Sequence, residues 1–130
     1  NGGIFTPEEA KRQLDETGAD GVGLARGVLG NPWLFQQIKD YISHNNKRRH
    51  PELVSGSVSG SSGYDHPTWE ERKTTMFGHA KLALELKGEQ SVIELRKHLA
   101  WYCKGLPNAK ELRSKLVQVK NLNDIKAALA

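Results

Sequence analysis

Between His44 and Pro67 the chain reads HNNKRRHPELVSGSVSGSSGYDHP, and this stretch limits the fold more than any other. It is rich in Ser and Gly and shows no hydrophobic period, which is the composition of a flexible linker or an insertion. Its Lys-Arg-Arg-His run could meet phosphate, although a short charged run in a linker is ordinarily solvated. Patterned sequence lies on either side. Residues 1–44 and 68–130 are therefore read as the two structured parts, with 45–67 between them.

The first part alternates. Thr6-Pro7-Glu8-Glu9 predicts a helix start, with Thr6 as cap, Pro7 at the first helical position and Glu9 completing a capping box. That helix is expected to run to about Thr17 and stop at Gly18. The run GADGVGLA predicts a short buried strand over Gly21–Ala25, and a second helix begins near Pro32 with Leu34, Ile38, Tyr41 and Ile42 at helical spacing. Strand alternating with helix is the pattern of a parallel α/β sheet or barrel. Two such units cannot bury enough apolar surface to stand alone. The opening Asn1-Gly2-Gly3-Ile4, with no initial Met, reads as the end of a preceding strand in a larger fold.

The second part is helical throughout. Thr68-Trp69-Glu70-Glu71 is another capping box, and Trp69, Met76, Ala80, Ala83 and Leu84 share one face. Gly88 ends that helix. The next places Val92, Leu95, Leu99, Tyr102, Cys103 and Leu106 at offsets 0, 3, 7, 10, 11 and 14. Asn108 with Glu111 predicts the cap of a third helix burying Ala109, Leu112, Leu116 and Val119. Asn121 with Asp124 predicts a last short helix with Leu122, Ile125 and Leu129 inward. Four helices with short turns make a small bundle.

Several function classes drop out. No run approaches the ~18 apolar residues of a membrane span, and the start lacks the features of a signal peptide. A single cysteine, Cys103, rules out a disulfide framework and makes a reducing cytoplasm the expected location. The histidines show no metal-ligand spacing, so no metal is expected. The formal charge of +4 is unevenly spread. Residues 1–67 hold 7 Lys/Arg against 8 Asp/Glu, and residues 68–130 hold 12 against 7, giving −1 and +5. A basic second part is either a surface for a polyanion or a well-solvated helical surface.

Two groups of residues suggest chemistry. In GVGLARGVLGNPWLF, residues 21–35, a strand hands over to a helix through small residues and an arginine. Ligands of parallel α/β folds sit at such strand ends. Small residues such as Ala25, Gly27 and Gly30 let a phosphate reach backbone N–H groups, and Arg26 adds a charged fork. Gly2 and Gly3 have the same character. The same glycines also suit ordinary tight turns. The second group is Lys97, Trp101 and Lys104, at i, i+4 and i+7 on a stripe apart from the Leu95/Leu99/Cys103 face. Two cations flanking an aromatic ring can hold a nucleic-acid backbone while the ring stacks. Arg96 and His98 flank the stripe, and Lys110, Arg113 and Lys120 extend it. The alternative is that Trp101 packs internally and the lysines only solvate the helix.

The runs NGGI, GADGVGLARGVLGNPWLFQQI and RKHLAWYCKGLPNAKELR resemble the flavin-dependent tRNA-dihydrouridine synthases over residues 1–44 and 68–130. The resemblance implies the last two βα units of a TIM barrel that binds FMN, followed by a helical tRNA-binding domain. It implies Asn1, Gly2, Gly3, Ala25 and Arg26 at the FMN phosphate, and Arg96, Lys97, Trp101, Lys104 and Arg113 at RNA. It further implies reduction of uridine to dihydrouridine in tRNA with NADPH as reductant, by a monomeric whole enzyme. The proton-donating cysteine would lie in preceding barrel units, since Cys103 falls on a core face, so this chain alone is expected to be inactive. Gly3 stands where the family pattern has Asp, and Ala25 where it has Gly; a backbone phosphate contact survives both. Two rival readings remain at this point: part of another FMN barrel, such as a dihydroorotate-dehydrogenase-like enzyme, or a non-catalytic RNA-binding module.

Overall fold

A computed structural model describes residues 2–49 and 64–130, with the side chains of 46–49 excepted. Asn1, the KRRH side chains and most of the 45–67 segment thus lie outside the described residues. The chain divides into two compact units, one ending at His66 and the other spanning Pro67–Ala130.

In the first unit, α1 spans Pro7–Thr17 and α2 spans Leu34–Arg49. The α1 start is the expected capping box: the Glu9 N–H donates to Thr6 Oγ1 at 3.2 Å, and the Thr6 N–H donates to Glu9 Oε2 at 3.1 Å. Gly18 ends the helix in the left-handed conformation, φ 64°, and its N–H donates to the Leu14 carbonyl. Helices α1 and α2 pack on each other around Ile4, Ala10, Leu34 and Ile38, with Val22, Leu24, Val28 and Ile42 at the margin.

The buried strand expected over Gly21–Ala25 is not formed. Residues 21–24 carry no β-ladder, and all described regular elements are helical. A strand acquires its hydrogen bonds only from a neighbouring strand. What survives is the strand's period of two: Val22 and Leu24 turn toward the core while Gly21, Gly23 and Ala25 stay exposed.

Helix α2 also runs past His44, where the apolar pattern fades, to Arg49. No glycine or proline interrupts residues 45–49, and Pro51 disfavours helix only at the residue before it. At the far end of the linker, Tyr64 is buried against Tyr41, ring centroids 6.0 Å apart and edge-on. The Gln37 Nε2–H donates to the Asp65 carbonyl at 2.9 Å, fixing the returning chain to α2.

The second unit holds α3 (Trp69–Lys87), α4 (Gln90–Tyr102), α5 (Ala109–Leu116) and α6 (Leu122–Leu129). Helix α3 packs on α4 and α6, and α5 packs on the same two, which closes a four-helix ring. Met76, Ala80, Val92, Leu95, Leu99, Leu116, Val119 and Ile125 form its core. Thr68 caps α3 reciprocally with Glu71, and Asn121 Oδ1 accepts the Asp124 N–H at 2.9 Å at the start of α6. The expected cap at Asn108 is absent: its backbone, at φ −102° and ψ 25°, lies outside the extended region that aims a cap side chain at the helix. The Ala109 N–H instead closes a turn onto the Leu106 carbonyl at 3.2 Å.

Gly27 is the tightest point of the first unit. A β-carbon there would stand 2.0 Å from the Ile4 carbonyl oxygen and 3.1 Å from Leu34 Cδ2. Around Gly21 the same addition meets nothing within 4 Å. Gly27→Ala is therefore expected to destabilise this unit by about 1–3 kcal/mol through overpacking, and Gly21→Ala to be far milder. Hydrogen exchange checks this, with protection lost in α1 and α2 of the Gly27 variant and retained in α3–α6.

Candidate functional site

The two glycine-bearing turns of the first unit come together. Gly2 and Gly3 hold φ of 78° and 66°, and the buried Ile4 follows directly. The Ile4 carbonyl lies against Gly27, so the Gly2-Gly3 backbone and the Ala25-Arg26-Gly27 turn are neighbours. Gly2, Gly3, Ala25 and Arg26 are all exposed, and Arg26 opens a 3-10 turn over Arg26–Val28. A β-carbon on Gly2 or Gly3 would meet nothing within 4 Å, so the space beside this backbone is open. Exposed backbone beside a guanidinium is a setting that suits an anion such as a phosphate. Two glycines have other duties: Gly27 lacks a side chain to make room for Ile4, and Gly30, at φ 74°, makes a turn.

In the second unit, α4 has two faces. Val92, Leu95, Leu99 and Tyr102 are buried, as is Cys103 at the C-cap, whereas Lys97 and Trp101 face solvent; Lys104, expected on the same helix, lies in the turn after α4 and is also exposed. Trp101 is 37% exposed and meets His98 edge-on, centroids 4.9 Å apart. The His98 ring lies 6.0 Å from His79 on α3, and His79 Nδ1 lies 3.4 Å from the Tyr102 hydroxyl. Burial pushes the His98 imidazole below its usual pKa, and the charges on His79, Lys97 and Lys87 push the same way. The neutral imidazole is thus favoured and offers a ring face.

The other cations of this unit divide between holding the fold and facing water. Arg96 is half-buried, and its Nε–H donates to the Val119 carbonyl at 2.8 Å. Arg113 is exposed and its Nε–H returns to the Ala109 carbonyl of its own helix at 3.0 Å. Lys110 and Lys120 are exposed. Arg72, which no local pattern singles out, sends one nitrogen to the carbonyls of Tyr102 at 3.1 Å and Lys104 at 3.0 Å. It thereby binds both the end of α4, next to Trp101, and the turn that carries Lys104. Among the described residues, no group of three or more His, Cys, Asp or Glu side chains could hold a metal, and no helix is long and apolar enough to cross a membrane.

The family model for dihydrouridine synthase matches residues 1–130 of this chain. The chain belongs to the dihydrouridine synthase family. It is 37% identical over 129 residues to a probable tRNA-dihydrouridine synthase 1 of Synechocystis sp., covering 99% of this chain and 32% of that protein. It is 35% identical over 130 residues to tRNA-dihydrouridine synthase B of Vibrio vulnificus, covering 99% of this chain and 34% of that protein. A probable tRNA-dihydrouridine synthase of Mycobacterium leprae is 33% identical over 130 residues, covering 99% of this chain and 30% of the relative. The chain spans about a third of the length of the curated relatives it matches.

In this family member Cys103 is a core residue. It is fully buried, its Sγ–H points to the Leu99 carbonyl at 3.5 Å, and burial raises its thiol pKa. A buried thiol kept protonated is a poor nucleophile. Ellman's reagent at pH 8 is expected to leave Cys103 unmodified in the folded chain and to modify it fully in denaturant. Arg72 allows a second prediction. Arg72→Met leaves two carbonyls at the end of α4 without their charged donor and is expected to cost about 1.5–3 kcal/mol. Urea unfolding of the α3–α6 bundle measures the loss.

Proposed function

We propose that this chain is part of an FMN-dependent tRNA-dihydrouridine synthase. In this reading residues 2–49 with 64–66 supply the last βα units of an FMN-binding TIM barrel, and residues 67–130 supply the tRNA-binding domain. The family match over the whole chain is the observation that carries the reading. The exposed Lys97 and Trp101 on α4, with the exposed Lys104 in the turn that follows it, support it from the chemistry.

The enzyme would saturate the C5–C6 bond of uridine in tRNA. Bound FMN would supply a hydride for the uracil ring, with NADPH as the source of reducing equivalents. The residues here would bind and orient. The Gly2 and Gly3 backbone, Ala25 and the Arg26 guanidinium would hold the FMN phosphate, together with Asn1 from the resemblance. Lys97, Lys104 and Trp101 would hold the tRNA, with Arg113 at the margin and Arg96 contributing whatever its Val119 bond leaves free. The proton donor is a residue other than Cys103, so this chain by itself is proposed to be inactive. An enzyme acting on tRNA works where tRNA resides, in the cytoplasm.

Binding of tRNA to the chain tests the assignment. Lys104→Ala is expected to flatten the slope of log affinity against log salt by about 1, as loss of one phosphate contact does. Trp101→Ala is expected to weaken binding by about 1–3 kcal/mol with little change in that slope. Wild-type affinity indistinguishable from that for a neutral polymer would remove the RNA reading.

A further inference from the structure

A groove of about 650 Å³ lies between α3 and α4, beside the Trp101–His98 contact. Its apolar lining includes Leu82 and Leu86, one helical turn apart on α3. These leucines are 54% and 75% exposed, although Leu95, which also lines the groove, is a buried core residue. Single exposed leucines are ordinary, but two stacked along the wall of one groove form a surface for contact.

The polar part of the lining is chiefly cationic or aromatic. Lys87 and Lys97 contribute ammonium groups, and His79 and His98 contribute ring edges and faces. The one carboxylate, Glu94, pairs with Lys87 at 3.9 Å at the solvent-exposed rim, a contact weak enough for Lys87 to exchange it for a phosphate. Lys97 takes part in no ion pair among the described residues. An occupant that suits this lining has a flat apolar face and an adjacent negative charge. An apolar peptide would satisfy the leucines and leave the lysines unused. Duplex RNA would meet the lysines and leave the leucines wet, because its bases are stacked inside. An unstacked nucleotide satisfies both, and the size falls within the range of small-ligand sites.

We propose that the α3–α4 groove takes one unpaired nucleotide of the bound RNA, its base against Leu82, Leu86 and the His98 ring and its phosphate met by Lys87 and Lys97. The proposal rests on the tRNA-binding reading and adds to it a preference for single-stranded or bulged segments at this point. The neutral state of His98 suits stacking, since an uncharged ring loses little on desolvation by a base. Trp101, edge-on to His98, continues the ring surface toward the exposed face of α4.

The test compares a single-stranded RNA decamer with a duplex of the same sequence, across the same series of salt concentrations, on the full chain. The double variant Leu82→Gln/Leu86→Gln changes exposed positions without altering charge. Its single-strand affinity is expected to fall on the order of tenfold, with an unchanged salt slope and a duplex affinity within about twofold of wild type. A decamer carrying 4-thiouridine is expected to crosslink within residues 82–98, which locates the nucleotide without any variant. Equal loss for both RNAs, or no loss for either, overturns the groove proposal while wild-type tRNA binding keeps the broader reading intact. A change in oligomeric state with single-strand binding unaffected also overturns it, making the groove a protein contact. Absence of wild-type binding to tRNA and decamer alike removes the broader reading as well.

Discussion

Burial of one face of α4 is the constraint on which the second unit depends. Leu99 and Cys103 are wholly enclosed, with Val92, Leu95 and Tyr102 nearly so, and they meet α3 on one side and α5 on the other. A helix with one face so committed cannot rotate about its axis, so Lys97 and Trp101 on the opposite face are held toward solvent, with Lys104 following in the next turn. The functional surface is thus a consequence of the core.

Two arginines add to that hold by long hydrogen bonds. Arg72 reaches across 30 residues to the Tyr102 carbonyl, and Arg96 reaches across 23 to Val119. Arg72 satisfies the Tyr102 carbonyl at the end of α4, and Arg96 the Val119 carbonyl in the connection between α5 and α6, a role in which a charged donor is stronger than a neutral one. Part of the basic excess therefore serves the fold. Lys97 and Lys104 differ, because the ion pairs of this unit are Lys73–Glu70, Lys87–Glu94 and Lys115–Glu111. Such exposed pairs contribute little to stability. Their arrangement nevertheless leaves the α4 stripe un-neutralised and open to a polyanion.

The first unit illustrates how one glycine-rich run can serve two purposes. Gly27 is required by the Ile4 carbonyl, and that same contact brings the exposed Gly2-Gly3 backbone beside Ala25 and Arg26. Packing and the candidate phosphate site are linked through one close approach. The run GVGLA keeps the alternation of a strand, Val22 and Leu24 inward, without a strand's hydrogen bonds. Side-chain alternation is a property of the extended backbone alone, whereas a ladder is a property of two segments.

That difference separates what was legible in the sequence from what was not. The helix starts at Thr6 and Thr68, the stops at Gly18 and Gly88 and the buried face of α4 could all be read directly. Each depends on partners within about one or two helical turns, so spacing alone specifies it. The exposed face of Lys97 and Trp101 could be read for the same reason, whereas Lys104 proved to lie in the turn beyond the helix. Asn108 looked like a cap and is not, because its backbone angles are set by the turn after Pro107. Arg72, the Gly27–Ile4 contact, the His79–His98 pair and the α3–α4 groove were decided only by the tertiary structure. Their partners lie on other elements, and no local period can register an atom that arrives from a distant part of the chain.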